Sequence, residues 1–196
     1  MPKLTLDDIA DLRAYERERE AFRASVIALK RRRRVGVGPL ITAVFENRDT
    51  VRFQIQEMAR AERMMSDAAI QGELDVYNAL IPGPGELTAT VFVELTSPAE
   101  LREWLPKLVG VERCVALDVG GHLVRAFPEG AHADQLTRDE VTSAVHYVGW
   151  SLTSEEVAGC ASEPLALVVD HPAYAHRTAL GADTRAELLR DLAGGR

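Results

Sequence analysis

The 196-residue chain predicts an α+β protein. N-terminal helices and one strand pack on an antiparallel or mixed sheet, and a C-terminal helix closes the chain. Three observations carry this expectation. Apolar residues recur at helical spacing through most of the region before Ile81, whereas β-rich apolar runs dominate from Leu87 onward. Between the two patterns lies a dense breaker segment, Ile81-Pro82-Gly83-Pro84-Gly85. A boundary there gives residues 1–85 as a helical part with one strand and residues 86–196 as an α+β part, joined in one body.

Thr5-Leu6-Asp7-Asp8 has the form of a capping box, and acids in a first turn oppose the helix dipole. Leu6, Ile9, Leu12, Tyr15, Phe22, Val26 and Leu29 follow at steps of three, four or seven, with a break near Asp11. Gly36, Gly38 and Pro39 end this helix, and Leu40–Phe45 reads as a strand. Asn47 is an N-cap for a second helix, periodic from Val51 to Met65, and a third spans Asp67 to Leu80. Leu87–Leu95 is a strand, and Ser97-Pro98 opens a helix that reaches Leu108. Cys114–Val119 and His122–Phe127 flank Gly120-Gly121 as a hairpin. Residues 129–139 read as a polar loop, Val141–Leu152 and Leu165–Val169 as strands, and Asp183 caps a last helix to Leu192.

Apolar residues make up 46% and charged residues 27%, inside the globular range. No apolar run is long enough to span a membrane, and no leader pattern is present, so a cytoplasmic location is expected. Cys114 and Cys160 are far apart and form no CxxC motif. The net charge of −7 hides an asymmetry, because residues 1–66 are positive and the remainder acidic. Five of the early charges are consecutive, Lys30, Arg31, Arg32, Arg33 and Arg34. Such a run suits phosphates or an acidic partner. It equally suits a helix C-terminus, where cations oppose the dipole. It spreads around a helix and has no interleaved aromatics, so nucleic-acid binding is the weaker reading.

On the second helix Val51, Ile55, Met58 and Met65 share an apolar arc, with Glu62 in its middle. A carboxylate there is either buried with a partner or placed at a helix end clear of the core. The opposite side presents Arg52, Gln56, Arg60 and Arg63 in one direction, a candidate surface for a ligand or partner together with Arg33 and Arg34. Gly36-Val37-Gly38-Pro39 follows a helix and precedes a strand, the wrong order for a phosphate loop. His146 lies in a strand pattern and His171 at a strand end, where they are candidate metal ligands, with Asp170 or Glu62 as a carboxylate. The histidines show no HExxH or ExxH spacing, and no covalent-catalysis signature is present. Nothing in the residues assigns a cofactor.

Several segments together resemble one uncharacterised bacterial family, a conserved domain of unknown function spanning nearly the whole chain. They are Arg33–Pro39, Thr42, Phe45-Glu46-Asn47, Gln54–Met58, Glu62-Arg63, Tyr77–Pro82 and Ala144–Tyr147. The resemblance implies a setting near rubrerythrin-like and iron–sulfur oxidoreductase genes, and hence a role in redox or stress metabolism with a redox protein as partner. It supplies no activity. The chain has none of the repeated ExxH pairs of a rubrerythrin-like di-iron site. The leading expectation is therefore a non-catalytic accessory or ligand-binding protein. The alternatives are a metal-dependent enzyme using Glu62, His146 and His171, and nucleic-acid binding through Lys30–Arg34. Homo-oligomerisation stays open.

Overall fold

A computed structural model describes residues 1–129 and 141–195. The segment read as a polar loop lies outside the described residues from position 130 onward, as does His132. The chain is α+β, as expected, and its strands form two antiparallel sheets.

Thr5 caps a single 3-10 turn, Leu6–Asp8, before Asp11 caps α1 (Leu12–Arg33) by accepting from the Ala14 N–H. The chain then enters β1 (Arg34–Val37) and turns through Gly38 into β2 (Ile41–Phe45). The glycine segment expected to stop the helix is thus half strand, at Gly36 and Val37, and half turn, at Gly38 and Pro39. Val35 and Val37 alternate into the core while Arg34 and Gly36 face out, which is a strand period. Gly38 has φ +68°, and a Cβ there would fall 2.5 Å from both the Tyr174 hydroxyl oxygen and the His176 ring. Only glycine fits that turn.

Helix α2 (Arg48–Ala61) begins at Asn47, whose side chain accepts from Thr50 N–H, and α3 (Asp67–Tyr77) ends in a 3-10 turn at Asn78–Leu80. Beyond the breaker come β3 (Glu86–Val93), α4 (Pro98–Lys107), β4 (Val115–Val119), β5 (His122–Arg125) and the short β6 (Phe127–Pro128). Next are β7 (Val145–Ser151), α5 (Ser154–Ser162), β8 (Leu165–His171), β9 (Tyr174–Ala179) and α6 (Ala182–Leu192). Gly120 and Gly121 both have positive φ and form the two-residue turn of the β4–β5 hairpin. Helix α5 and strand β9 extend beyond the elements read from sequence, and α6 starts after Gly181, so Asp183 stands inside its first turn, favoured there by the helix dipole, rather than capping it.

The first sheet has strand order β1-β2-β3-β7-β6 and the second β5-β4-β8-β9. Strand β3, first after the breaker, lies between β2 and β7, so the segments on either side of Ile81–Gly85 share one sheet. The inner faces of both sheets contribute to one apolar cluster. Phe45, Leu87, Val91 and Trp150 come from the first sheet, and Leu117, Leu167 and Val169 from the second. The other face of the first sheet is covered by helices. Val51, Ile55, Leu74, Leu80 and Ile81 form a second, smaller cluster there, with Tyr77 and Tyr147 packed on it. Strand β3 is therefore buried on both faces, odd positions toward the sheets and even positions toward the helices. No helix of the described residues is long and apolar enough to cross a membrane.

Candidate functional site

The basic run at the end of α1 is largely neutralised within the chain. Arg33 is 1% exposed and its guanidinium forks onto Asp191 at 2.6 and 2.9 Å and reaches Glu187 at 3.2 Å. Arg32 donates to Glu187 at 2.8 Å and Arg34 to Glu94 at 2.8 Å. The acidic C-terminal helix thus takes up charge from the basic helix end. Lys30 and Arg31 differ, since among the described residues neither makes an ion pair, and the Lys30 ammonium stands 6.0 Å from the Phe53 ring centroid.

The polar side of α2 faces α1 and the segment before it. Gln56 is fully buried and exchanges two hydrogen bonds with the backbone of Ala10, at 2.8 and 3.0 Å. Arg52 donates to the Asp8 carbonyl at 2.8 Å and lies 4.9 Å over the Phe22 ring. Arg60 pairs with Glu16 at 2.5 Å. Between them Glu57 accepts from Tyr15 at 2.7 Å and from both arms of Arg19 at 2.8 and 2.9 Å. Arg63 is exposed just past the helix end with φ 54°. It continues a helix stop in which Arg63 N–H donates to Arg60 and Met64 N–H to Ala59. Of the arginine stripe, Arg63 projects to solvent and Arg52 and Arg60 hold α1 against α2.

Glu62 caps the C-terminus of α2 and is exposed, so it meets the second condition set by its place in the apolar arc. His146 lies on the face of β7 that looks between the sheets, beside Val91. Its Nε2 is 2.9 Å from the Ser143 carbonyl and 3.0 Å from the Thr142 hydroxyl. Burial lowers its pKa, outweighing the charge of Glu112, whose Oε2 stands 3.9 Å from Nδ1. At neutral pH the ring is uncharged. His171 accepts from the Ala173 N–H at Nδ1, so Nε2 carries the proton given to the Val109 carbonyl at 3.1 Å. Glu62, His146 and His171 thus occupy a helix end, the space between the sheets and the end of β8. Among the described residues no three His, Cys, Asp or Glu side chains are placed to hold a metal ion.

A different set of side chains does converge. A cleft of about 230 Å³ opens between the helices and the outer face of the first sheet. Its polar lining is Lys30, Glu46, Gln54, Tyr77, Thr90 and Tyr147, with Phe92 and Val145 as an apolar wall. The strand register assembles it. Val44 pairs with Thr90 and Thr90 with Tyr147, so these three share one face of adjacent strands. Glu46 continues β2 by one residue, its N–H donating to Thr88 at 2.9 Å, and alternation sends its side chain to the same face. There the Thr90 hydroxyl donates to Glu46 Oε1 at 2.6 Å. Glu46 is 7% exposed and, among the described residues, has no cationic partner. Tyr77 ends α3 and hydrogen-bonds with Tyr147, with Gln54 beside it. Burial, then the neighbouring Tyr77 and Glu46, pushes the Tyr147 phenol up to about 12. Tyr77 is raised as well, chiefly by burial. Both phenols stay protonated near neutrality and act as hydrogen-bonding groups.

Larger concavities lack this convergence. A groove of about 610 Å³ beside Ile9, Leu12, Met65 and Ile70 is mainly apolar. A hollow of about 330 Å³ carries Glu155, Glu156 and Glu163, with His122 3.1 Å from Glu156.

Glu46, Gln54, Tyr77 and Tyr147 were not singled out from the residues, although each falls in a segment that carries the family resemblance. One signal was available. Glu46 directly follows an apolar strand, and the alternation of that strand places its carboxylate on a covered face.

Comparison with known proteins agrees with the resemblance. A crystal structure of a novel protein of unknown function from Burkholderia pseudomallei K96243 is similar over 97% of this chain and all of its own. The two share 36% sequence identity and superpose with a TM-score of 0.89. No curated protein matches the chain. Residues 3–192 match the family described as protein of unknown function DUF3501, and the chain belongs to that family.

Proposed function

We propose that this chain is a non-catalytic accessory protein that binds a small polar ligand in the cleft between α2, α3 and the first sheet. One observation carries the reading. Side chains from α1, α2, α3 and three adjacent strands turn polar groups into one aromatic-walled cavity. Its two phenols are held protonated near neutrality and so serve as hydrogen-bonding groups for a ligand, beside the Glu46 carboxylate. At about 230 Å³ it suits a metabolite of roughly ten non-hydrogen atoms, below the usual size of drug-like sites.

The test is a thermal-unfolding screen against a library of polar metabolites, repeated with Val145→Trp. A ligand at about a hundred times its Kd adds about 2.7 kcal/mol to the folded state. True ligands raise the melting temperature of the parent and not of Val145→Trp, whose indole fills the cleft. A library without hits, or hits that persist in Val145→Trp, rejects the reading.

The redox setting implied by the family resemblance belongs to the same proposal. It is tested by co-purification with rubrerythrin-like and iron–sulfur oxidoreductase proteins, using Arg63→Glu to probe the exposed end of the stripe. Association unchanged in that variant excludes Arg63 from the contact.

A further inference from the structure

We infer that the cleft takes a small zwitterion of the amino-acid class, its ammonium at Glu46 and its carboxylate at Lys30. The inference rests on the ligand-binding reading and adds the chemistry of the ligand. Two opposite charges line one cavity, and neither is neutralised by another described residue. Arg32, Arg33 and Arg34 each have a carboxylate partner within 3.2 Å, whereas Lys30 and Arg31 have none among the described residues, and of these two Lys30 lines the cleft.

Glu46 is the complementary case. A carboxylate has about four acceptor positions, and among the described residues the Glu46 side chain accepts from the Thr90 hydroxyl alone. A carboxylate removed from water calls for charged donors. The protein supplies hydroxyl and phenol groups around it, and a ligand ammonium would complete the set. Tyr77, Tyr147 and Phe92 add aromatic surface in the same cavity, which favours a cation. A free amine would leave Lys30 uncompensated, and a simple carboxylate would leave Glu46 so. A ligand bearing both charges satisfies both ends within the available volume.

The experiment uses the full chain carrying ¹³C-labelled tyrosine, with the Tyr77 and Tyr147 ring signals assigned from the two Tyr→Phe variants. The probes are the protein amino acids, their decarboxylated amines, the matching deaminated acids and neutral sugars. At least one amino acid is expected to shift both rings with a Kd below about 1 mM. Its amine and its acid each bind about tenfold more weakly or worse, the loss of one charge-assisted contact. Lys30→Met lowers amino-acid affinity about tenfold and leaves the amine unchanged, while Glu46→Gln does the converse with the acid. Both variants are near-isosteric, and an unchanged urea midpoint verifies their folding. Equal binding of an amino acid and either half, or no effect of Lys30→Met, overturns the inference. Ring shifts with amines, acids or sugars alone overturn the zwitterion and keep the cleft as a ligand site. Silence of both rings toward every probe overturns the ligand-binding reading itself.

Discussion

Replacing Arg33 with methionine removes the buried one of the two cations that join the end of α1 to α6. The guanidinium makes three charge-assisted bonds, two to Asp191 and one to Glu187. The two carboxylates fare differently once it is gone. Glu187 keeps Arg32 at 2.8 Å and Arg190 at 2.9 Å. Burial pushes its carboxyl up, but those bonds and the nearby charges outweigh burial and hold it below the usual range. Asp191 has its hydrogen bonds from Arg33 alone among the described residues, and burial already raises its pKa against that pull. It also stands in the last turn of α6, where the helix dipole disfavours an anion. Arg33→Met therefore leaves a buried carboxylate without a partner, at a cost of about 3–5 kcal/mol at pH 7.

The sign of the pH dependence follows. A carboxyl raised in the folded state favours folding when protonated, and that contribution is lost as pH rises through its folded pKa. Lowering the pH from 7 to 5 should thus shrink the deficit of Arg33→Met, by up to about 1.4 kcal/mol per pH unit while Asp191 takes up its proton. Combining Arg33→Met with Asp191→Leu removes the orphaned charge and should restore most of the loss. Urea titrations of the parent, single and double variants at both pH values measure all of this. A single variant within about 1 kcal/mol of the parent at pH 7 would refute the reasoning, as would a double variant no better than the single.

Three further outcomes are expected. Arg63 occupies a left-handed position past α2, so Arg63→Gly should stabilise the protein by about 1 kcal/mol, read as a rise in urea midpoint without a change in slope. Bonds from Arg19, and then from Tyr15, hold the Glu57 carboxyl below its usual range. Its stabilising effect is full above about 4.5 and is lost as pH falls through the lowered folded value. Glu57→Gln should cost about 1 kcal/mol at pH 7 and flatten part of the acid limb of a stability-versus-pH curve. Tyr147 should ionise near 12 in an absorbance titration of the folded protein, and Tyr147→Phe should remove that step. A Tyr147 phenol titrating at 10 would contradict its burial.

Much of the architecture was legible because it follows from local rules. Asn47, Ser66 and Ser97 each cap a helix near where the apolar period begins, and Gly120-Gly121 turns a hairpin. The capping box at Thr153 and Glu156 also announces α5, although the short apolar pattern behind it is weak. Strand β9 was harder to read. His176 and Arg177 are exposed, and apart from buried Tyr174 it offers little alternation. It is an edge strand held by pairing with β8, a long-range property. Strand β1 was hidden by two glycines and a following proline, which read locally as a stop.

By itself the sequence determined the α+β class, the helix starts at Asn47 and Ser97, the main breaker and the separation of a basic first third from an acidic remainder. Periodicity and capping are properties of neighbours a few residues apart, so they are written in the chain. The tertiary structure alone decided which charges remain available. Arg33 and Glu187 are 154 positions apart, and no local pattern reveals that one covers the other. The same holds for Arg60 with Glu16, and for Glu46, Tyr77 and Tyr147 around one cleft. Paired cations on α1 and α2 hold the fold together. Lys30 and Glu46, neither paired with another described residue, face the cleft where a ligand would complete them.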